Sequence, residues 1–185
     1  MTQAQANSDS PRKEELLEAA YRYVVGHGIS AMSLRPLAAA IGTSPRVLLF
    51  LFGSKDELVR ALLARARRDE LALVDGWRER QAAAGGAAVL GRQLWDWMRR
   101  PETRGLLQLW VDAYARSLVE PEGPWGDFAA ATVQDWLRIL TGAGLDRTTA
   151  TAVLALLRGA LLDLLATGDA TRTTRAVRTQ LALLT

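Results

Sequence analysis

Apolar residues recur every three to four positions along this chain, and nowhere do they alternate for long with polar ones. That is the period of an α-helix with one buried face. Alanine and leucine dominate while valine and isoleucine are sparse. The pattern predicts an all-α protein. A first helix opens on Ser10-Pro11, with Leu16, Leu17, Ala20, Tyr21, Val24 and Val25 on one face, and ends at Gly26 and Gly28. Serine can cap free backbone N–H groups, and proline suits a first helical turn. A second helix follows Ser33 and stops at Gly42. A third opens on Ser44-Pro45 and runs to about Leu51. Ser54-Lys55-Asp56-Glu57 has the form of a capping box and opens a long fourth helix. Its buried side is expected to carry Val59, Leu62, Leu63, Ala66, Leu73 and Trp77.

The Ala/Gly tract from Ala82 to Ala88 breaks the pattern, as a linker or as a loop between helices. Further helices are read over about Val89–Arg99, Glu102–Val119 and Trp125–Leu140. Asp146 can cap the next, which runs to Ala166, and Gly168-Asp169 precede a last helix to about Leu184. The stretch Thr148–Ala166 is the most apolar, but Arg158 and Asp163 interrupt it, so it reads as a buried helix and no membrane partner is expected.

The segment Ser33–Glu57 has the spacing of a helix-turn-helix. Ala38 and Gly42 are small where two helices must touch and the chain must turn. Leu37, Ile41, Leu48 and Leu51 are apolar where a three-helix core needs them. The helix opened by Ser44 then leaves Pro45, Arg46, Leu49 and Phe50 outward. Arg46 is suited to a bidentate pair with guanine. Arg35 can reach a base edge or a phosphate, and Ser33, Thr43 and Ser44 are small hydroxyl donors placed for phosphate. Lys55 sits at a helix N-terminus, where a cation is mildly unfavourable and an external anion resolves the conflict.

Charge and composition narrow the chemistry. The net charge of this 185-residue chain is only +3. However, ten of its 23 basic residues and six of its 20 acidic ones lie in the first 68 positions, with the candidate DNA module. There are no cysteines and a single histidine, His27. A zinc finger, a disulfide scaffold and a thiol nucleophile are excluded, and a metal site is not expected. Neither Gly-x-Ser-x-Gly nor a phosphate loop is present, so no enzyme activity and no cofactor are expected. Met1–Ser10 is polar and reads as a loose tail with no signal pattern, consistent with a cytoplasmic protein.

The first helix, then Ser33, Leu37-Ala38, Gly42-Thr43-Ser44 and above all Phe52-Gly53-Ser54-Lys55-Asp56-Glu57-Leu58 resemble the TetR family of bacterial transcription regulators. The resemblance covers about residues 10 to 65. It implies a three-helix DNA-binding domain joined by a long fourth helix to a helical regulatory and dimerisation domain. The boundaries expected are a flexible tail over 1–9, the DNA-binding domain over 10–66 and the second domain over 67–185. It further implies a repressor, with a double-stranded DNA operator, a second copy of the chain and a small-molecule effector as partners. Two departures stand out: Leu49 lies where the family usually has tyrosine, and Leu51 where it often has histidine.

Residues beyond the module fit that plan. Val153, Leu157, Leu161 and Leu164 form an apolar stripe, and Leu154, Leu162 and Leu165 form another. A helix apolar on more than one side needs cover. The first stripe, with Val177, Leu181 and Leu184, is expected to build a two-fold interface. Six tryptophans invite a pocket. Leu94, Trp97, Met98, Trp110, Tyr114, Phe128 and Trp136 are the candidate lining for an apolar or aromatic ligand. Two rival readings use the same helices: a helical enzyme or small-molecule carrier, and a protein-binding adaptor that no longer binds DNA.

Overall fold

A computed structural model describes residues 11–29, 32–81 and 87–183, leaving aside the side chains of 70, 72–81 and 87. The described residues form nine α-helices and no strand: α1 (Pro11–His27), α2 (Leu34–Ala40), α3 (Pro45–Phe52), α4 (Lys55–Gln81), α5 (Ala87–Met98), α6 (Arg104–Val119), α7 (Phe128–Gly142), α8 (Arg147–Thr167) and α9 (Ala170–Ala182). The all-helical expectation holds. The tail, the Ser10 cap, most of the Ala/Gly tract, Leu184 and the side chains of Leu73 and Trp77 lie outside the described residues.

The helices fall into two units. One takes in α1 to α3, α4 as far as Asp69, and the segment Gln108–Ala129. The other takes in the segments from Glu70 to Leu107 and from Ala130 onward.

In the first unit Leu16, Ala20, Tyr21 and Val24 of α1 are buried, as are Leu37 and Ala38 of α2, Leu48 and Phe52 of α3, and Leu58, Val59, Leu62, Leu63 and Ala66 of α4. Ile41 and Leu51, expected in that core, are only half-buried. Phe52 takes the place expected of Leu51, because it lies one turn beyond Leu48 on the inward side. Arg65 ties α4 to α1: its guanidinium donates to Glu18 and to Asp69 and lies 4.7 Å over the Tyr21 ring. Burial, and then a hydrogen bond to Asp69, push the Tyr21 hydroxyl above the ordinary tyrosine range. The hydrogen bond to Glu18 holds Arg65 more firmly protonated than usual.

Sequence reading starts α7 too early. Trp125 lies in the preceding turn, because the Ser117 hydroxyl donates to the Gly126 carbonyl and accepts the Ala129 N–H at 3.0 Å. The helix begins where that cap allows, at Phe128.

In the second unit α5, α8 and α9 pack on one another. Gly91 lies against Leu181, where an added Cβ would fall 2.5 Å from a leucine methyl. The Trp95 indole N–H donates to the Thr174 hydroxyl at 2.9 Å. Asp146 caps α8 by accepting from the N–H groups of Thr148 and Thr149.

Here one expectation is corrected. Val153, Leu157, Leu161, Leu164, Val177 and Leu181 are buried within the single chain, so they are not a face left open for a partner. Helices α5, α8 and α9 cover them from inside the unit. What α8 turns outward is the other side, with Ala152, Ala155, Gly159, Leu162 and Ala166 exposed. By length and composition α8 could cross a membrane, and a third of its most apolar window is buried within the chain.

Candidate nucleic-acid interface

The turn between α2 and α3 is set by backbone hydrogen bonds. Thr43 N–H donates to the Ala38 carbonyl at 2.9 Å and Gly42 N–H to the Ala39 carbonyl at 3.4 Å. This paired pattern closes a helix through a left-handed residue, and Gly42 supplies it with φ 69°. The chain bends by 102° between the two helices, within the range of a helix-turn-helix. Ser44 then caps α3 by accepting the Val47 N–H at 3.2 Å, with Pro45 in the first turn. The hydroxyl proton of Ser44 stays available to a donor role. Ser33 precedes α2 without spending its side chain on a cap.

Leu48 and Phe52 anchor α3, and the Lys13 ammonium lies 5.3 Å over the Phe52 ring. The opposite face is open. Arg46 is exposed, Phe50 is 70% exposed, Leu49 40% and Val47 37%. Pro45 and Thr43 are half-buried, while Ser33, Arg35, Ser44 and Lys55 are exposed. Among the described residues Arg35, Arg46 and Lys55 pair with no carboxylate. Lys55 heads α4, whose start Ser54 caps by accepting the Glu57 N–H at 3.0 Å. The capping box is half made, since the Glu57 carboxylate turns to Arg60 at 2.5 Å.

Hence all nine residues singled out for DNA belong to one unit, on or beside the α2–α3 turn and the head of α4. Such an arrangement offers unpaired cations, hydroxyls and helix N-termini, all donors suited to phosphate and guanine. Sequence reasoning missed Val47. It lies three residues before Phe50, and helical geometry alone places it beside the open face. The His27 Nδ1–H donates to the Tyr23 carbonyl, 2.9 Å away, and the imidazole stacks on the Tyr23 ring, so His27 is tied to its own helix end.

The pocket candidates divide between the units. Leu94, Trp97, Met98 and Trp136 are buried in the second. Trp110, Tyr114 and Phe128 belong to the first, with the Trp110 and Tyr114 rings 4.8 Å apart along α6. An open cleft in the second unit is lined instead by Arg99, Thr171, Thr174, Arg175, Arg178 and Thr179, and none of the seven candidates lines it.

A bent, capped helix pair with an outward cationic face, followed by a long helix and an all-α remainder, defines a helix-turn-helix DNA-binding regulator. Residues 16–62 match the family described as bacterial regulatory proteins, tetR family. Among solved structures the chain is similar to the multidrug binding protein EbrR complexed with ethidium. That match has 27% identity and a TM-score of 0.74, and covers 94% of this chain and 98% of that one. It shares its fold with Salmonella enterica GusR (18% identity, TM-score 0.67, 94% and 95% covered). It also does so with a TetR transcription regulator from Haloarcula marismortui (16%, 0.67, 93% and 95%). No curated protein matches the sequence. Residues 16–62 thus form a DNA-binding domain of the tetR type, and the chain as a whole shares the fold of TetR-family regulators.

Proposed function

We propose that this regulator is a cytoplasmic homodimeric repressor, released from a palindromic operator by a small apolar or aromatic ligand. The open face of α3 carries the reading. In a structure where Leu48 and Phe52 are buried, Arg46 and Phe50 point away from the core, beside the hydroxyls of Ser33, Thr43 and Ser44 and the cations Arg35 and Lys55, which have no acidic partner among the described residues. Arg46 reads a guanine, Arg35 a base edge or phosphate, and Ser33, Thr43, Ser44 and Lys55 hold the backbone. Residues 10–66 form the reading domain and 67–185 the domain that senses ligand and pairs. EbrR, whose structure holds ethidium, supports a ligand of flat aromatic character.

Two copies pair through the outward side of α8, where Ala152, Ala155 and Gly159 permit close approach and Leu162 supplies apolar area. Paired recognition helices then meet half-sites about 34–36 Å apart. The decisive experiment selects bound duplexes from a random pool and titrates them at several salt concentrations. Lys55→Ala should weaken all sequences alike and flatten the salt slope by about one phosphate contact. Arg46→Ala should relax preference at one position. Absence of salt-dependent binding to any duplex would overturn the reading.

A further inference from the structure

The outward face of α3 carries one guanidinium and otherwise only hydrocarbon. On a helix advancing 100° per residue, Arg46 and Phe50 lie along its centre, with Val47 and Leu49 at its sides. Phe50, Leu49 and Val47 are all substantially exposed, and none carries a hydrogen-bonding atom on its side chain. Beyond Arg46, this face has no side-chain group on α3 that can donate to or accept from a base edge. In the major groove the base edges present one apolar group, the C5-methyl of thymine.

We infer that α3 reads thymine methyl groups: Phe50, with Leu49 and Val47, selects thymine over cytosine beside the guanine that Arg46 contacts. The inference rests on the DNA-reading role proposed above. Four residues advance α3 by about 6 Å, roughly two base steps of 3.4 Å. The preferred thymine therefore lies one or two steps from the guanine. It follows that 5-methylcytosine, which presents the same methyl, substitutes for thymine at that contact better than cytosine does. A ring lying against deoxyribose instead would be blind to the methyl.

The test uses the full chain and a duplex selected from a random pool. Each thymine of one half-site is replaced in turn by deoxyuridine, which keeps every polar group and removes only the methyl. Affinity should fall about four-fold at the one or two thymines under α3, the ratio for burying one carbon. The salt slope should stay unchanged, because no phosphate contact is altered. The double variant Phe50→Ala, Leu49→Ala, both at exposed positions, should keep the fold and erase the uridine penalty. Equal affinity for thymine and uridine duplexes at every position would overturn the inference while leaving DNA binding intact. A penalty undiminished in the double variant would overturn the assignment to these side chains. If no duplex is bound at all, the DNA-reading role itself fails, and this inference with it.

Discussion

Helices α3 and α8 are both strongly apolar, and they use their apolar residues in opposite ways. Helix α3 has eight residues and only two anchors, Leu48 and Phe52. Val47, Leu49 and Phe50 face out, around Arg46 and beyond a cap made by Ser44. Helix α8 has 21 residues and buries Ala150, Val153, Leu154, Leu157, Leu161 and Leu164 within its unit. It leaves outward small residues with one large side chain, Leu162 at 52% exposure. Apolar composition alone therefore does not decide burial. In α3 the outward apolar residues stand among unpaired cations, as a polyanion's groove requires. In α8 they stand among alanines and a glycine, as another helix requires.

The largest test removes an anchor from each helix. Leu48→Ala and Leu157→Ala should each cost about 2–5 kcal/mol in urea unfolding, since both side chains are almost fully buried. Leu48→Ala should also abolish operator binding, because α3 loses half of its hold. Leu162→Ala should change the stability of the chain by no more than about 0.5 kcal/mol, yet weaken self-association in sedimentation. A Leu162→Ala cost matching that of Leu157→Ala would reverse the assignment of inward and outward sides on α8.

Much of the contrast is legible in the chain itself. Ser44-Pro45, Ser54 and Asp146 announce helix starts because caps act over two or three residues, and each makes the expected hydrogen bond. Gly42 is legible for the same reason, since its turn is closed by neighbours. The side of α8 that faces inward is not. Both stripes are apolar, and the choice is made by α5 and α9, through contacts such as Gly91 with Leu181 that lie far apart in sequence. Arg65 with Glu18 spans 47 positions and gives no local signal, although Arg65 with Asp69 has helical spacing. The start of α7 depends on Ser117, twelve residues before the N–H it caps.

Smaller effects sharpen the contrast on the α3 side. Arg65→Met should cost about 1–2 kcal/mol, discounted because Glu18 and Asp69 are partly solvated. It removes the cation from above Tyr21 and leaves two carboxylates near the ring. Alkali should act on the same cluster. The Tyr21 hydroxyl titrates above its unfolded value, so its contribution is complete below about pH 10 and is lost as pH rises further. Tyr21→Phe should flatten the alkaline limb of the unfolding curve. Ser44→Ala should cost about 1 kcal/mol by freeing the Val47 N–H, and should lower operator affinity further by removing a phosphate donor.

The smallest effect lies at the two ends of α8 and has the opposite pH dependence. Arg172 donates to both oxygens of Asp163, at 2.6 and 2.8 Å, and this hydrogen bonding holds the Asp163 carboxyl below the usual carboxylate range. Asp146, at the other end, is lowered by the Thr149 hydroxyl and by backbone N–H groups. A carboxyl lowered on folding stabilises the native state above its unfolded pKa, and the gain disappears as pH falls through the folded value. Both groups are solvent-exposed, so each effect is modest and weakens with salt. Asp163→Asn should lower Tm slightly at pH 7, and the gap to the unsubstituted chain should close as pH falls below about 4. A gap that stays constant down to pH 2 would show that Arg172 does not clamp the end of α8 through charge.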